Sequence, residues 1–363
     1  MTSAGPISPA FAGPRLVAGR GDLSMAVERA LRTGRPPAYT EGSIRRAEPW
    51  GEDVQLALYL LYELHYRGFA EVDDAREWDP DLLRLRQELE SLFLHALRSS
   101  LADAPRSVEE ALAPLLVEPV DPAGGISHHL EREGELWQVR EYAAMRSLYH
   151  LKEADPHAWV IPRLTGRAKV AMAAVEYDEF GAGHPDRVHA RLFAELMTDL
   201  GLDPTYGHYL DHATAPLLAT VNLMSLFGLH RSLRGALVGH FACVEVTSSP
   251  GSRRLANAMR RCGAGPAAER FYTEHVEADA VHEQVVRHEV IGGLLADEPA
   301  LEPDIAFGCA ATVLLEDELD ARVREAWASG HSALRSPLPP PDPDPDPDRE
   351  PLRDPDADAD PRS

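Results

Sequence analysis

Residues 271–290 read FYTEHVEADAVHEQVVRHEV, and this stretch decides how the chain folds. At about 100° per residue, an α-helix places His275, Asp279 and His282 within a stripe roughly 60° wide. Phe271, Tyr272, Ala278, Val286 and Val290 share that face, while Thr273, Gln284 and His288 lie opposite. Two imidazoles and a carboxylate are thereby aimed at the core. A buried carboxylate is costly unless it is paired or bound to a metal. Iron, manganese and zinc accept imidazole nitrogen and carboxylate oxygen together, so a metal ion would satisfy the whole stripe. The competing reading is a hydrogen-bonded core triad.

Helical periodicity extends through the rest of the chain, and alternating Val/Ile/Thr runs and Asn-Gly or Asp-Gly hairpin turns are missing. The pattern predicts helices over Asp53–Tyr66, Asp81–Ser100, Ser107–Val117, Leu136–Glu153, Arg163–Glu179 and Pro185–Leu200. Further helices are expected over Ala215–Thr247, with breaks near Gly228 and Gly235, then Phe271–Leu295 and Pro303–Trp327. His128 and His129 read as solvated loop residues. No repeat period recurs. The expectation is an all-α bundle of about seven core helices plus N-terminal helices. Its divisions are a flexible segment over 1–49 with one short helix, a helical lobe over 50–125, a main domain over 126–334 and a tail over 335–363.

The tail ends in PLPPPDPDPDPDREPLRDPDADADPRS, where nine acids face three arginines and little apolar surface exists to bury. Such a composition predicts disorder. The whole chain, 363 residues long, carries a net charge of −23, which argues against nucleic acid as a partner and against a polybasic membrane anchor. Three scattered cysteines give neither a disulfide framework nor a CxxC motif. With no secretory h-region and no membrane-length apolar run, the expected setting is the cytoplasm.

More metal-ligand chemistry lies outside residues 271–290. The segment AKVAMAAVEYDEF ends in Glu176, Asp178 and Glu179, and His189 follows beyond a Gly-Ala-Gly breaker and His184-Pro185. Glu245 stands in the apolar run GALVGHFACVEV. Three carboxylates and three imidazoles over four helices suit two divalent ions with positions left for a small ligand such as O2. Ferritin-like di-iron bundles use paired Glu-x-x-His motifs, and this sequence has none.

The ordered run Glu179, His189, Glu245 and then His275-x3-Asp279-x2-His282 resembles the haem-oxygenase-like di-iron oxidase and oxygenase superfamily, and within it the iron-containing redox enzyme family. The blocks LKEADPH (151–157), EYDEFG (176–181), NLMSLFG (222–228) and EHVEADAVHEQ (274–284) are similar to that group's. The resemblance implies a haem-oxygenase-like fold holding two non-haem Fe2+ ions, with manganese an alternative in one site, and O2 as co-substrate. It implies Glu179, His189, Glu245, His275, Asp279 and His282 as ligands, with Glu176 a rival for Glu179 and Glu153 as an extra carboxylate. It further implies an oxidoreductase acting on a small amine, amino acid or fatty acid, with an external electron donor and a homodimer both compatible. Two alternatives stay open: a metal-free enzyme on this fold, as in thiaminase and pyrroloquinoline-quinone synthesis, or a non-catalytic protein that binds iron or a partner.

Overall fold

The computed structural model describes residues 13–117 and 125–339, and every regular element among them is helical. The first helices are α1 (Asp22–Thr33), α2 (Glu41–Arg46), α3 (Glu52–Glu63), α4 (Pro80–Ser100) and α5 (Val108–Leu112). There follow α6 (Ile126–Arg132), α7 (Leu136–His150), α8 (Asp155–Ala158), α9 (Gly166–Glu179) and α10 (His189–Asp199). The chain closes with α11 (Ala215–Leu229), α12 (Arg234–Cys262), α13 (Pro266–Val285), α14 (Gly292–Asp297) and α15 (Glu302–Ala328). This is the all-α architecture the sequence predicts.

Local chemistry sets the ends of these helices. Asp79 caps α4 by accepting from the amides of Asp81 at 3.0 Å and Leu82 at 3.1 Å, with Pro80 pre-set for the first turn. Leu82, Leu85, Leu89, Phe93 and Leu97 then recur every three or four residues and are all buried. α11 is apolar all round and therefore sits centrally, packed against α3, α12 and α15. α12 is the spine of the bundle and packs along both α13 and α15. It crosses α15 backbone to backbone: a Cβ on Gly239 would lie 1.8 Å from the Ile305 carbonyl oxygen, and one on Gly308 would lie 1.9 Å from that of Ala236.

Several elements differ from expectation. α12 runs on to Cys262 instead of ending at Thr247, although Pro250 sits within it. Its outer half buries Leu255, Ala256, Ala258 and Met259, and this packing outweighs the one hydrogen bond that proline removes. The expected Phe271–Leu295 helix is divided by a π-helical turn at Val286–Ile291, beyond which Gly293 packs against the Ala168 backbone of α9. His128 and His129 lie on α6 rather than in a loop. That helix buries Ile126 and Leu130, and the His129 ring sits 5.7 Å from that of Trp327.

The N-terminal helices join the same core as the rest. α1 buries Leu23, Val27, Ala30 and Leu31 and packs against α3, which in turn packs against α4 and α11. One apolar cluster runs from Leu16 to Leu334, so the expected boundaries at 49/50 and 125/126 fall within a shared core. Of the segment expected to be flexible, residues 13–49 carry two helices; residues 1–12 and the tail from 340 onward lie outside the described residues. Among the described residues, no helix is long and apolar enough to cross a membrane.

Candidate metal centre

α13 buries His275, Asp279 and His282 on one stripe and leaves Thr273 and Gln284 exposed, as is His288 in the π-helical turn that follows. α12, packed beside it, contributes Glu245. α9 contributes Glu179 from its last turn. The chain then reverses tightly so that His189, the first residue of α10, returns over Glu179. Gly181 permits this reversal: its φ is +81°, and a Cβ there would lie 2.8 Å from the Val188 amide nitrogen. Glu153 comes from the turn between α7 and α8.

These side chains fall into two groups whose ligand atoms lie within 4.8 Å of one another, Glu153 with His189 and His275, and Glu179 with Asp279 and His282. Glu179 touches both groups, with Oε2 at 2.6 Å from His189 Nδ1 and Oε1 at 3.3 Å from His282 Nδ1. Glu245 Oε2 lies 3.5 Å from His282 Nδ1, and Asp279 Oδ1 lies 3.8 Å from it. Glu153 Oε1 is 3.9 Å from His275 Nε2.

Proximity here is not hydrogen bonding. His189 Nδ1, His275 Nε2, His282 Nδ1, Glu245 Oε2 and Asp279 Oδ2 are all buried and lack an aligned partner. Three of these residues, His275, Glu245 and Asp279, line a cavity of about 20 Å³, enough for an ion or a single water, with Glu153, Glu179, Tyr149, Phe241, Val244 and Ser248 also in its wall. Orphaned buried polar atoms are destabilising, and five of them on three helices make a donor set that could hold a metal ion. The residues therefore fit divalent metal ions of the iron, manganese or zinc kind.

The opposite ends of the ligand side chains are tied down. His275 Nδ1–H donates to the Phe271 carbonyl at 2.7 Å, which leaves Nε2 facing the cavity. His282 Nε2 approaches Asp178 Oδ2 at 3.4 Å, leaving Nδ1 inward. His150 Nδ1 holds Glu153 Oε2 at 2.9 Å. In the metal-free chain the carboxylates act on the imidazoles instead. Burial opposes a charge on His275, yet Glu153, with Asp279 and Glu179 nearby, pushes it up to about 10. His282 is likewise raised to about 11 by Glu179 and Glu245, against burial. Burial, with Asp279 and Glu179 close by, pushes Glu245 up to about 8. A site that draws protons this strongly is rich in negative charge that cations would neutralise.

Glu176 stands apart from both groups. It is buried, neither carboxylate oxygen has a hydrogen-bond partner, and burial pushes it up to about 9, so it is protonated at neutral pH. Sequence reasoning passed over the orienting residue His150 and a buried chain behind Tyr149, and it named Asp178 without giving it an orienting role. Thr312 donates to the Gly308 carbonyl at 2.8 Å and so accepts from His240 Nδ1–H, also at 2.8 Å. His240 Nε2 must then accept from His157 Nε2–H at 3.1 Å, leaving His157 Nδ1 facing the Tyr149 hydroxyl at 3.4 Å. The i, i+3 spacing of His150 and Glu153 was a readable signal for the first of these; the His157–His240 contact spans 83 residues and had none.

A nitrosourea synthase from Streptomyces achromogenes subsp. streptozoticus is 26% identical over 220 residues, 60% of this chain. Those residues span 46% of that protein, about half the length of the curated relative. The iron-containing redox enzyme family matches residues 140–317, from α7 to α15, a span that includes all eight acidic and imidazole residues singled out from the sequence. Through residues 140–317 this chain, with its haem-oxygenase-like all-α fold, belongs to the iron-containing redox enzyme family.

Proposed function

We propose that the chain is a non-haem di-iron, O2-dependent oxidase or oxygenase of a small organic molecule. His189, His275 and Glu153 would hold one ion, and His282, Asp279 and Glu179 the other. Glu179 is within reach of both groups, and Glu245 sits against His282. The observation that carries the reading is the clustering of buried nitrogen and oxygen atoms without partners around one small cavity, which His275, Glu245 and Asp279 line directly. A metal-free enzyme would be expected to turn no more than one or two of the six predicted ligands to a common space, whereas four of them line this one.

When bound, a pair of ferrous ions supplies the electrons that activate O2. The chain's own part is to orient and to exclude. Phe271, Asp178 and His150 fix the directions of His275, His282 and Glu153, as partners behind metal ligands commonly do. Phe241 and Val244 keep the cavity wall apolar on one side, which limits water. The ligand set suits manganese as well as iron in one site. The nitrosourea synthase likeness favours a nitrogen-bearing substrate among the amine, amino acid and fatty acid classes. An external electron donor is compatible with this reading.

The test is anaerobic loading with Fe(II), exposure to O2, and measurement of O2 uptake alongside Asp279→Ala. The reading expects uptake in the wild type and its loss in the variant. Equal uptake in both, or iron retained without O2 consumption under any reductant, would overturn it.

A further inference from the structure

The turn that presents Glu153 is anchored from its other side by a second buried cluster. Lys152 engages none of the partners of Glu153; its ammonium lies 3.0 Å from Glu63 Oε2 at the end of α3, and both side chains are at most 1% exposed. The Tyr206 hydroxyl, from the segment between α10 and α11, lies 2.7 and 2.9 Å from the two Glu63 oxygens. The Arg67 amide donates to Glu63 Oε1 at 3.3 Å, and its guanidinium stacks 4.1 Å over the Tyr206 ring while donating to the Leu151 carbonyl at 3.0 Å. The Tyr66 and Tyr59 rings close over the ammonium at 4.2 and 5.0 Å.

A buried ion pair is a poor source of stability, because apolar residues of similar volume often hold a fold as well or better. What it adds is geometry. Charge-assisted contacts have narrow distance and direction requirements, and here they act on Leu151 and Lys152, the residues immediately before Glu153.

We propose that Glu63 and Lys152, seated by Tyr206, are positioning residues that fix the 151–154 turn so that Glu153 faces His189 and His275. The N-terminal helix α3 is then part of the metal-binding apparatus. The inference rests on the di-metal reading above.

A double-mutant cycle on iron affinity tests it, because a residue acting through Glu153 loses its effect once Glu153 is gone. The variants are Glu63→Leu with Lys152→Met, Glu153→Ala, and all three together, each titrated anaerobically with Fe(II) and checked by circular dichroism. Replacing both charges preserves the fold, and affinity for one of the two ions falls by about 10–100-fold. Glu153→Ala produces a similar fall, and the triple variant is weaker than Glu153→Ala by less than about threefold. Wild-type affinity in the Glu63/Lys152 variant, or its full loss repeated on top of Glu153→Ala, overturns the proposal. Should the paired variant not fold, Tyr206→Phe replaces it: this leaves the ion pair but frees Glu63, and a several-fold loss that vanishes in the Glu153→Ala background is expected. No loss, or a loss undiminished in that background, overturns the proposal equally. Iron binding absent in the wild type would instead refute the di-metal reading.

Discussion

Two buried charge clusters meet at residues 151–154, and they are built on opposite principles. In the Glu63–Lys152–Tyr206 cluster the carboxylate is enclosed by an ammonium, a phenol and a backbone amide. In the centre formed by α9, α10, α12 and α13, five buried nitrogen and oxygen atoms have no aligned partner. Both are desolvated, so burial alone does not separate structure from function. Pairing of the charges does: the first cluster's carboxylate and ammonium are paired as the chain folds, whereas the second leaves nitrogen and oxygen atoms that the proposed ions would take up.

The largest effect should come from breaking the satisfied cluster on one side. Glu63→Leu strands the Lys152 ammonium and should destabilise the fold by about 3–5 kcal/mol, measured by urea denaturation. A change below about 1 kcal/mol would show that the ammonium finds water or another acceptor.

Next is the histidine pair, a second satisfied cluster. Burial pushes His157 from 6.5 down to about 4. The unfolded chain takes up a proton below 6.5 that the folded chain refuses. Stability is therefore intact above that pH and falls as pH drops toward 4, by about 3 kcal/mol through this residue. Denaturation of the metal-free protein at pH 7 and pH 4 should show the slope, and His157→Gln should remove that share of it.

The smallest effect has the opposite sign. Asp279→Asn removes a buried negative charge from an unsatisfied cluster, so the metal-free protein should gain about 1 kcal/mol even as it loses iron affinity. A loss of metal-free stability in this variant would mean that Asp279 is held by the fold and not reserved for a ligand.

How much of this was legible in the sequence follows from the range of the interactions. The helical period alone puts His275, Asp279 and His282 on one stripe, and the structure turns that stripe inward. The apolar run around Glu245 likewise foretells its burial. Glu176 and Glu179 are three residues apart and share a helix face, so periodicity could not choose between them; the structure brings Glu179 to His189 and His282 and leaves Glu176 unpartnered. Glu153 sits in a turn, where no period applies, and its neighbours His189 and His275 are distant in sequence. The Lys152–Glu63 contact spans 89 residues and gave no local signal at all. The expected helix stops at Thr247, yet the burial of Leu255 and Met259 carries α12 on through Pro250 and Gly251.

The central claim is that the unsatisfied cluster is a two-ion site, and counting the ions tests it most directly. Protein loaded anaerobically with Fe(II), freed of loose metal and analysed for iron should retain about two ions per chain, and Asp279→Asn should retain fewer. Wild-type protein that keeps no iron, or a variant that keeps as much as the wild type, would contradict the account.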